Sequence, residues 1–149
     1  MKDSLALRSI LAIAAIFVLA LLLIAGAVAL DQAKFIIPSP ETTAAQLVDA
    51  LGAHRYEGAM NQLSEELRQQ VTEQDLQSLV QSIESSQDGI YDAQEVGAQE
   101  QSQFASAQVK VKLGNGQERI IEFPLEKENG LWKVSSLEPL QSLAGSAGY

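Results

Sequence analysis

Hydrophobic and polar positions along this chain follow three periods in succession. Residues 10–30, ILAIAAIFVLALLLIAGAVAL, are 21 positions without a charged or strongly polar side chain. As a helix that run rises about 31 Å, the hydrocarbon thickness of a bilayer, and it predicts a transmembrane segment. From residue 41 the apolar positions recur at helical intervals. Leu47, Val48 and Leu51, then Tyr56, Ala59, Met60 and Leu63, predict a helix over about 42–63, with Glu41, Thr42 and Thr43 supplying cap and first-turn chemistry. Gly52 and Gly58 inside it predict a bend or a close contact, and two short helices fit equally. Ser64 followed by Glu65 and Glu66 caps a short helix through Gln70. Thr72 to Asp75 opens another, on which Leu76, Leu79, Val80 and Ile83 make one apolar stripe.

After Gly89 the period changes to two. Val109, Val111 and Leu113 share one face while Lys110 and Lys112 take the other. Gly114-Asn115-Gly116 turns the chain, and Ile121, Phe123 and Leu125 repeat the alternation. A second turn over 126–130 leads into Leu131-Trp132-Lys133-Val134, with Trp132 and Val134 on one face. A weaker first strand within 90–101, poorly alternating, suits an edge or a bulged position and raises the count from three strands to four. Helices first and an antiparallel meander second is an α+β plan in which the helices cover one sheet face.

The flanks of the apolar run set its orientation. Lys2 and Arg8 precede it and only Lys34 follows closely, so the N-terminus is expected inside, and the rest of the chain extracytoplasmic. Ala27-Val28-Ala29 offers a signal-peptide exit, but the run exceeds a usual signal core, which favours an uncleaved anchor; secretion after cleavage near Ala29 is the alternative. The expected organisation is a cytoplasmic start (1–9), the anchor (10–30), a linker containing Pro38 and Pro40 (31–40), a globular domain (41–139) and a flexible Ser/Gly/Ala-rich tail (140–149).

Residues 31–149 carry 8 basic and 18 acidic side chains, a formal charge of −10, which disfavours nucleic acid and steers basic partners toward this part of the chain. The chain has no cysteine, which excludes disulfides, thiolate metal sites, a cysteine nucleophile and a lipidated cysteine.

The stretch ALGAHRYEGAMNQLSEELR, with its aromatic-x-x-Ala step Tyr56-Glu57-Gly58-Ala59, and the terminal FPLEKENGLWKVSSL, with Gly130-Leu131-Trp132-Lys133-Val134, resemble the NTF2-like (cystatin-like) superfamily. Small membrane-anchored domains of the DUF4878 or lumazine-binding-like kind are the nearest in pattern. The resemblance covers about 41–139 and implies a cone: two or three helices on a curved antiparallel sheet of three or four strands, often with a pocket at its open end. Relatives include isomerase-like and dehydratase-like enzymes as well as binding modules, so the fold does not decide the function.

The residues themselves supply no enzyme signature. His54 lies off the apolar stripe and reads as a surface histidine, and Asp49 is too loosely spaced from it for a dyad. Tyr56, Met60, Phe123 and Trp132 are the pocket-wall or core candidates, and Phe104 is expected in the core with them. Gly114-Asn115-Gly116 lacks the features of a phosphate loop, Asp88 and Asp92 do not form a calcium loop, and Glu122, Glu126 and Glu128 read as a solvated edge. The glutamines of 62–108 read as neutral polar surface. No catalytic residue, metal or cofactor is assigned.

The leading expectation is a membrane-anchored extracytoplasmic binding or interaction module that takes a small apolar ligand or a cell-envelope protein and pairs with a second copy through its sheet. A pocket enzyme working through Tyr56 and a structural envelope subunit are the alternatives. The protein is expected to stay with membranes through high-salt and carbonate washing; release of a species beginning at Leu30 would show a cleaved signal instead.

Overall fold

Ser39 sets where the first helix begins. Its side chain accepts the Thr42 N–H at 3.3 Å, and Pro40, which has no N–H to orphan, takes the first helical position. The cap thus lies upstream of the expected Glu41 to Thr43, and Pro40 starts the helix rather than delaying it. In the computed structural model, which describes residues 36–145, this helix is α1 (Pro40–Gly52). It is followed by α2 (Tyr56–Met60), α3 (Glu65–Gln70), α4 (Glu73–Gln87), the strands β1 (Ile90–Gln101), β2 (Phe104–Leu113), β3 (Glu118–Glu128) and β4 (Leu131–Val134), and α5 (Glu138–Gly145). The expected anchor at 10–30 lies outside the described residues. Among the described residues no helix is long and apolar enough to cross a membrane.

The expected helix over 42–63 is two helices, α1 and α2, because His54 adopts a left-handed conformation at φ 57° and reverses the chain between them. α3 and α4 begin where their caps predict. Ser64 accepts the Leu67 N–H, and Thr72 and Asp75 form a reciprocal capping box. α4 ends at Asp88, also left-handed at φ 59°.

The four strands form an antiparallel meander in the order β1-β2-β3-β4. β1 lies at one edge and carries two register shifts, between Ile90 and Asp92 and between Glu95 and Gly97, which explains its poor alternation. Asn129 (φ 50°) and Gly130 (φ 79°) form the two-residue turn between β3 and β4, both left-handed, as a tight hairpin requires.

β4 pairs only with the last residues of β3, from Leu125 opposite Val134 to Glu128 opposite Leu131. The outer edge of β4 is covered: the Val134 N–H donates to the Gln62 carbonyl at 2.8 Å, and the Ser64 N–H donates to the Val134 carbonyl at 2.8 Å.

One core fills the space between helices and sheet. Leu47, Val48 and Leu51 of α1, Leu76 and Ile83 of α4, Val109 and Val111 of β2, Phe123 and Leu125 of β3 and Val134 of β4 are all buried in it. Each such aliphatic or aromatic side chain contributes about 1.5–3 kcal/mol on burial. Trp132 is 5% exposed, with the Lys127 ammonium 4.8 Å from its ring centroid on the outer side.

Three expectations are corrected. Phe104 is 65% exposed on the outer sheet face, because β2 alternates from Ala105 inward and Phe104 takes the opposite parity. The segment expected to be a flexible tail from 140 is helical as far as Gly145, with Leu140 and Leu143 buried against the core; Leu137, Leu140 and Leu143 recur every three residues and give it an apolar side. Gln87 belongs to the interior rather than to the polar surface, at 4% exposure.

Gln87 sits at a junction. Its side-chain carbonyl accepts from the Asn115 amide at 2.9 Å, its backbone carbonyl from the Asn115 N–H at 3.1 Å, and its own amide donates to the Leu143 carbonyl at 3.4 Å. Beside it the Gly114 N–H donates to the Gly89 carbonyl at 2.9 Å. A Cβ on Gly114 would lie 1.9 Å from the Asp88 carbonyl oxygen, so glycine is required there by the approach of backbone to backbone. Gly114→Ala is expected to cost about 3 kcal/mol by forcing these backbones apart, whereas Gly97→Ala changes stability by less than about 0.5 kcal/mol. A Cβ on Gly97 meets nothing within 4 Å. Denaturant titration of the two variants checks the contrast.

Candidate functional site

The reversal between α1 and α2 builds the most chemically varied surface of the described residues. After Leu51 the chain folds back on itself: the His54 N–H donates to the Leu51 carbonyl at 3.1 Å and the Arg55 N–H to the Ala50 carbonyl at 2.8 Å. Gly52 lets this end of α1 approach β1; a Cβ there would meet the Ile90 carbonyl and side chain at 3.1 Å. The left-handed turn then presents His54, Arg55 and Tyr56 in sequence.

His54 and Tyr56 are tied to α4. The Tyr56 hydroxyl lies 2.8 Å from His54 Nδ1, and His54 Nε2 lies 2.9 Å from Glu84 Oε1. The Nε2–H tautomer satisfies all three groups, with the hydroxyl donating to Nδ1 and Nε2 donating to the carboxylate. The two rings meet edge to face, 6.0 Å between centroids. His54 is at the surface, as its position off the apolar stripe suggests, and both of its ring nitrogens are engaged within the protein. The chain Tyr56–His54–Glu84 is a clasp that holds the strained His54 backbone against α4. Burial and the Glu84 charge push the Tyr56 phenol above its ordinary value, so it stays neutral and donates.

On the other side of the turn, Gln46, Asp49 and Ala50 of α1 face Arg55, Gly58 and Gln62 across an open cleft of about 310 Å³. Asp49 and Arg55 bring opposite charges to it and the two glutamines bring donors and acceptors. The Asp49 carboxyl is raised above the usual carboxylate range, first by desolvation and then by Asp92 on β1; the Ala93 N–H and Arg55 pull the other way. The arrangement offers charged and hydrogen-bonding groups to the cleft. It holds no nucleophile with an adjacent free base, and among the described residues no group of three or more His, Asp or Glu side chains is placed to hold a metal.

The four pocket-wall candidates separate. Phe123 and Trp132 are buried in the core, while Tyr56 and Met60 are half-buried and packed against it from the α2 side. The structure instead brings together Asp49, Arg55 and Asp92, and joins His54 to Glu84. Neither set was visible as a group. Glu84 is 30 positions from His54, and Asp92 reaches Asp49 only through the pairing of β1 beside α1.

No protein-family model matches this chain, and no curated protein matches it. Solved structures do. A SEC-C motif containing protein from Rhodopseudomonas palustris superposes with a TM-score of 0.53 at 16% identity over 66% of this chain and 76% of that one. A protein from Campylobacter jejuni described as an NTF2-like transpeptidase gives 0.52 at 17% identity, over 66% of this chain and 99% of the other. A cystatin-fold protein from Novosphingobium aromaticivorans aligns more loosely, at 0.43 and 12% identity over 66% of this chain and 97% of the other. The described domain has an NTF2-like fold, as the second of these shows: α+β, a curled four-stranded antiparallel sheet and five helices.

A carboxyl raised in the folded state binds its proton more tightly there than in the unfolded chain. Its contribution is therefore unfavourable above the folded value and is relieved as the pH falls through it. Asp49→Asn is expected to raise the melting temperature at neutral pH, with the gain fading on acidification into the carboxylate range; a gain that grows toward low pH would contradict the desolvation reading.

Proposed function

We propose that this chain is a membrane-anchored, extracytoplasmic binding module of NTF2-like fold. Its ligand site is the cleft between α1 and α2, and it has no catalytic role. The observation that carries this reading is the contrast between inside and rim. The interior of the cone is occupied by Phe123, Trp132 and the surrounding aliphatics, whereas Asp49, Arg55, Gln46 and Gln62 converge on an open cleft of about 310 Å³. A cleft of that size with one carboxylate, one guanidinium and two amides suits a small polar ligand with a cationic donor for Asp49 and an anionic group for Arg55. This shifts the expected apolar ligand to a polar one, because the apolar space is already filled by the protein's own side chains.

The anchor rests on the uninterrupted run 10–30, and the orientation on Lys2 and Arg8 ahead of it. A tether at the N-terminal side and a domain beginning near Ser39 suit a module that presents its cleft at the outer membrane surface, where the acidic domain is repelled by anionic lipid headgroups.

The test is native mass spectrometry of the full chain purified in non-ionic detergent. A small polar molecule retained by the wild type and lost at least about tenfold in Arg55→Ala, at unchanged melting temperature, is the expected result. Retention unaffected by Arg55→Ala and by Asp49→Asn would contradict the site.

A further inference from the structure

The sheet has three edges to protect, and only two are protected. The edge of β1 is broken by two bulges and carries Asp92, Glu95 and Glu100. The edge of β4 is covered by 62–64. The third is the flank of β3 that β4 leaves bare. β3 runs from Glu118 to Glu128, but β4 pairs with it only from Leu125 onward, so residues 118–124 have no strand partner on that side among the described residues. Their pairing with β2 on the other side is continuous from Lys112–Glu118 to Phe104–Glu126, without a bulge.

The direction of the free backbone groups follows from one bond. The Ser135 N–H donates to the Pro124 carbonyl at 3.0 Å, so Pro124 faces the β4 side. Backbone groups alternate along a strand; Glu122 and Ile120 therefore also present their N–H and C=O to the bare side, while Ile121 and Phe123 bond to β2. Pro124 itself marks the boundary. A proline is tolerated in β3 because the N–H it lacks faces away from β2.

Beside this flank lies a surface cleft of about 480 Å³, lined by Ile120, Glu122 and Pro124 of β3 and by Ser136, Glu138 and Pro139 where α5 begins. Ile120 is 62% exposed at its mouth. Glu122 and Glu138 bring two carboxylates to the lining, the first also accepting from the Ser106 hydroxyl on β2, and the neighbouring Arg119 is directed to the Gln117 side chain.

We propose that the bare flank of β3 over residues 118–124 receives an extended, Lys/Arg-bearing segment of a partner protein as an added strand. Its backbone bonds to Ile120 and Glu122, its apolar side chains rest on Ile120 and Pro139, and its basic side chains face the carboxylate rim. Charge selects this occupant over a second copy of the chain. Two-fold antiparallel pairing of this flank with itself, centred on Ile120, would set Glu118 of each copy opposite Glu122 of the other, and like charges directly opposite one another are unfavourable. The surplus of acidic side chains on this part of the chain steers basic segments toward the edge in the same sense.

The probe is a short blocked peptide of alternating Lys and Val, with its Glu/Val counterpart as control, titrated into the isotopically labelled full chain in non-ionic detergent. The expected result is that the Lys/Val peptide shifts the amides of Ile120 and Glu122 and slows their hydrogen exchange, while the Glu/Val peptide does neither. Ile120→Pro removes the edge N–H without touching the ladder to β2, and is expected to weaken binding at least about tenfold. Should that variant fail to fold, Glu122→Lys, at an exposed position, is expected to reverse the preference toward the Glu/Val peptide. Absence of binding, shifts confined to other residues, equal binding of the two peptides, indifference to both variants, or self-association of the chain through these amides would each overturn the proposal.

Discussion

The structure depends on one close approach, that of the Gly114 backbone to the carbonyl of Asp88. At this point the end of α4, the start of β1, the β2–β3 turn and, through Gln87 and Leu143, the final helix all meet. Only a residue without Cβ passes the carbonyl, and only a left-handed Asp88 aims it there. The register of β2 against β1 follows, since Leu113 opposite Ile90 is the last pair before the junction. Once that register is fixed, Val109 and Val111 of β2 face the helices, and Lys110 and Lys112 face away.

With the core filled in this way, the open space among the described residues lies at the rim. The interior is protein, and what is left for other molecules are the places where the elements stop short of one another. The reversal after α1, held by the His54–Glu84 clasp, leaves the polar cleft at Asp49 and Arg55. The shortness of β4 leaves the flank of β3. The two lie on different elements and differ in chemistry: the first is mixed in charge, the second acidic and extended. The NTF2-like fold fixes neither, because both arise from local lengths and side chains in this chain.

Much of the fold was legible because its signals are local. The capping box of Thr72 and Asp75, the Ser64 cap and the alternation of β2 and β3 each involve residues within a few positions of one another. The parts that were not legible are satisfied at long range. Gln87 is one polar residue among many glutamines until Asn115 and Leu143 surround it. His54 reads as loose surface until Glu84 takes its second nitrogen, and the same distance hides the Asp49–Asp92 pair. The last helix is hard to read because its small and polar residues outweigh its two leucines; it is helical because Leu140 and Leu143, with Leu137 just ahead of them, have a core to enter. Phe104 shows the converse, a residue whose type says core and whose strand parity says surface.

A fixed junction with open rims makes one prediction that a single experiment resolves: native-state hydrogen exchange, amide by amide, on the full chain. The N–H groups of Gly114 and Asn115, though they lie in a turn, are expected to exchange only through global unfolding, as slowly as those of the central strand β2, while the N–H groups of Ile120 and Glu122 exchange orders of magnitude faster. Rapid exchange at Gly114 and Asn115 together with protection at Ile120 and Glu122 would contradict the account, showing a loose junction and an edge already filled.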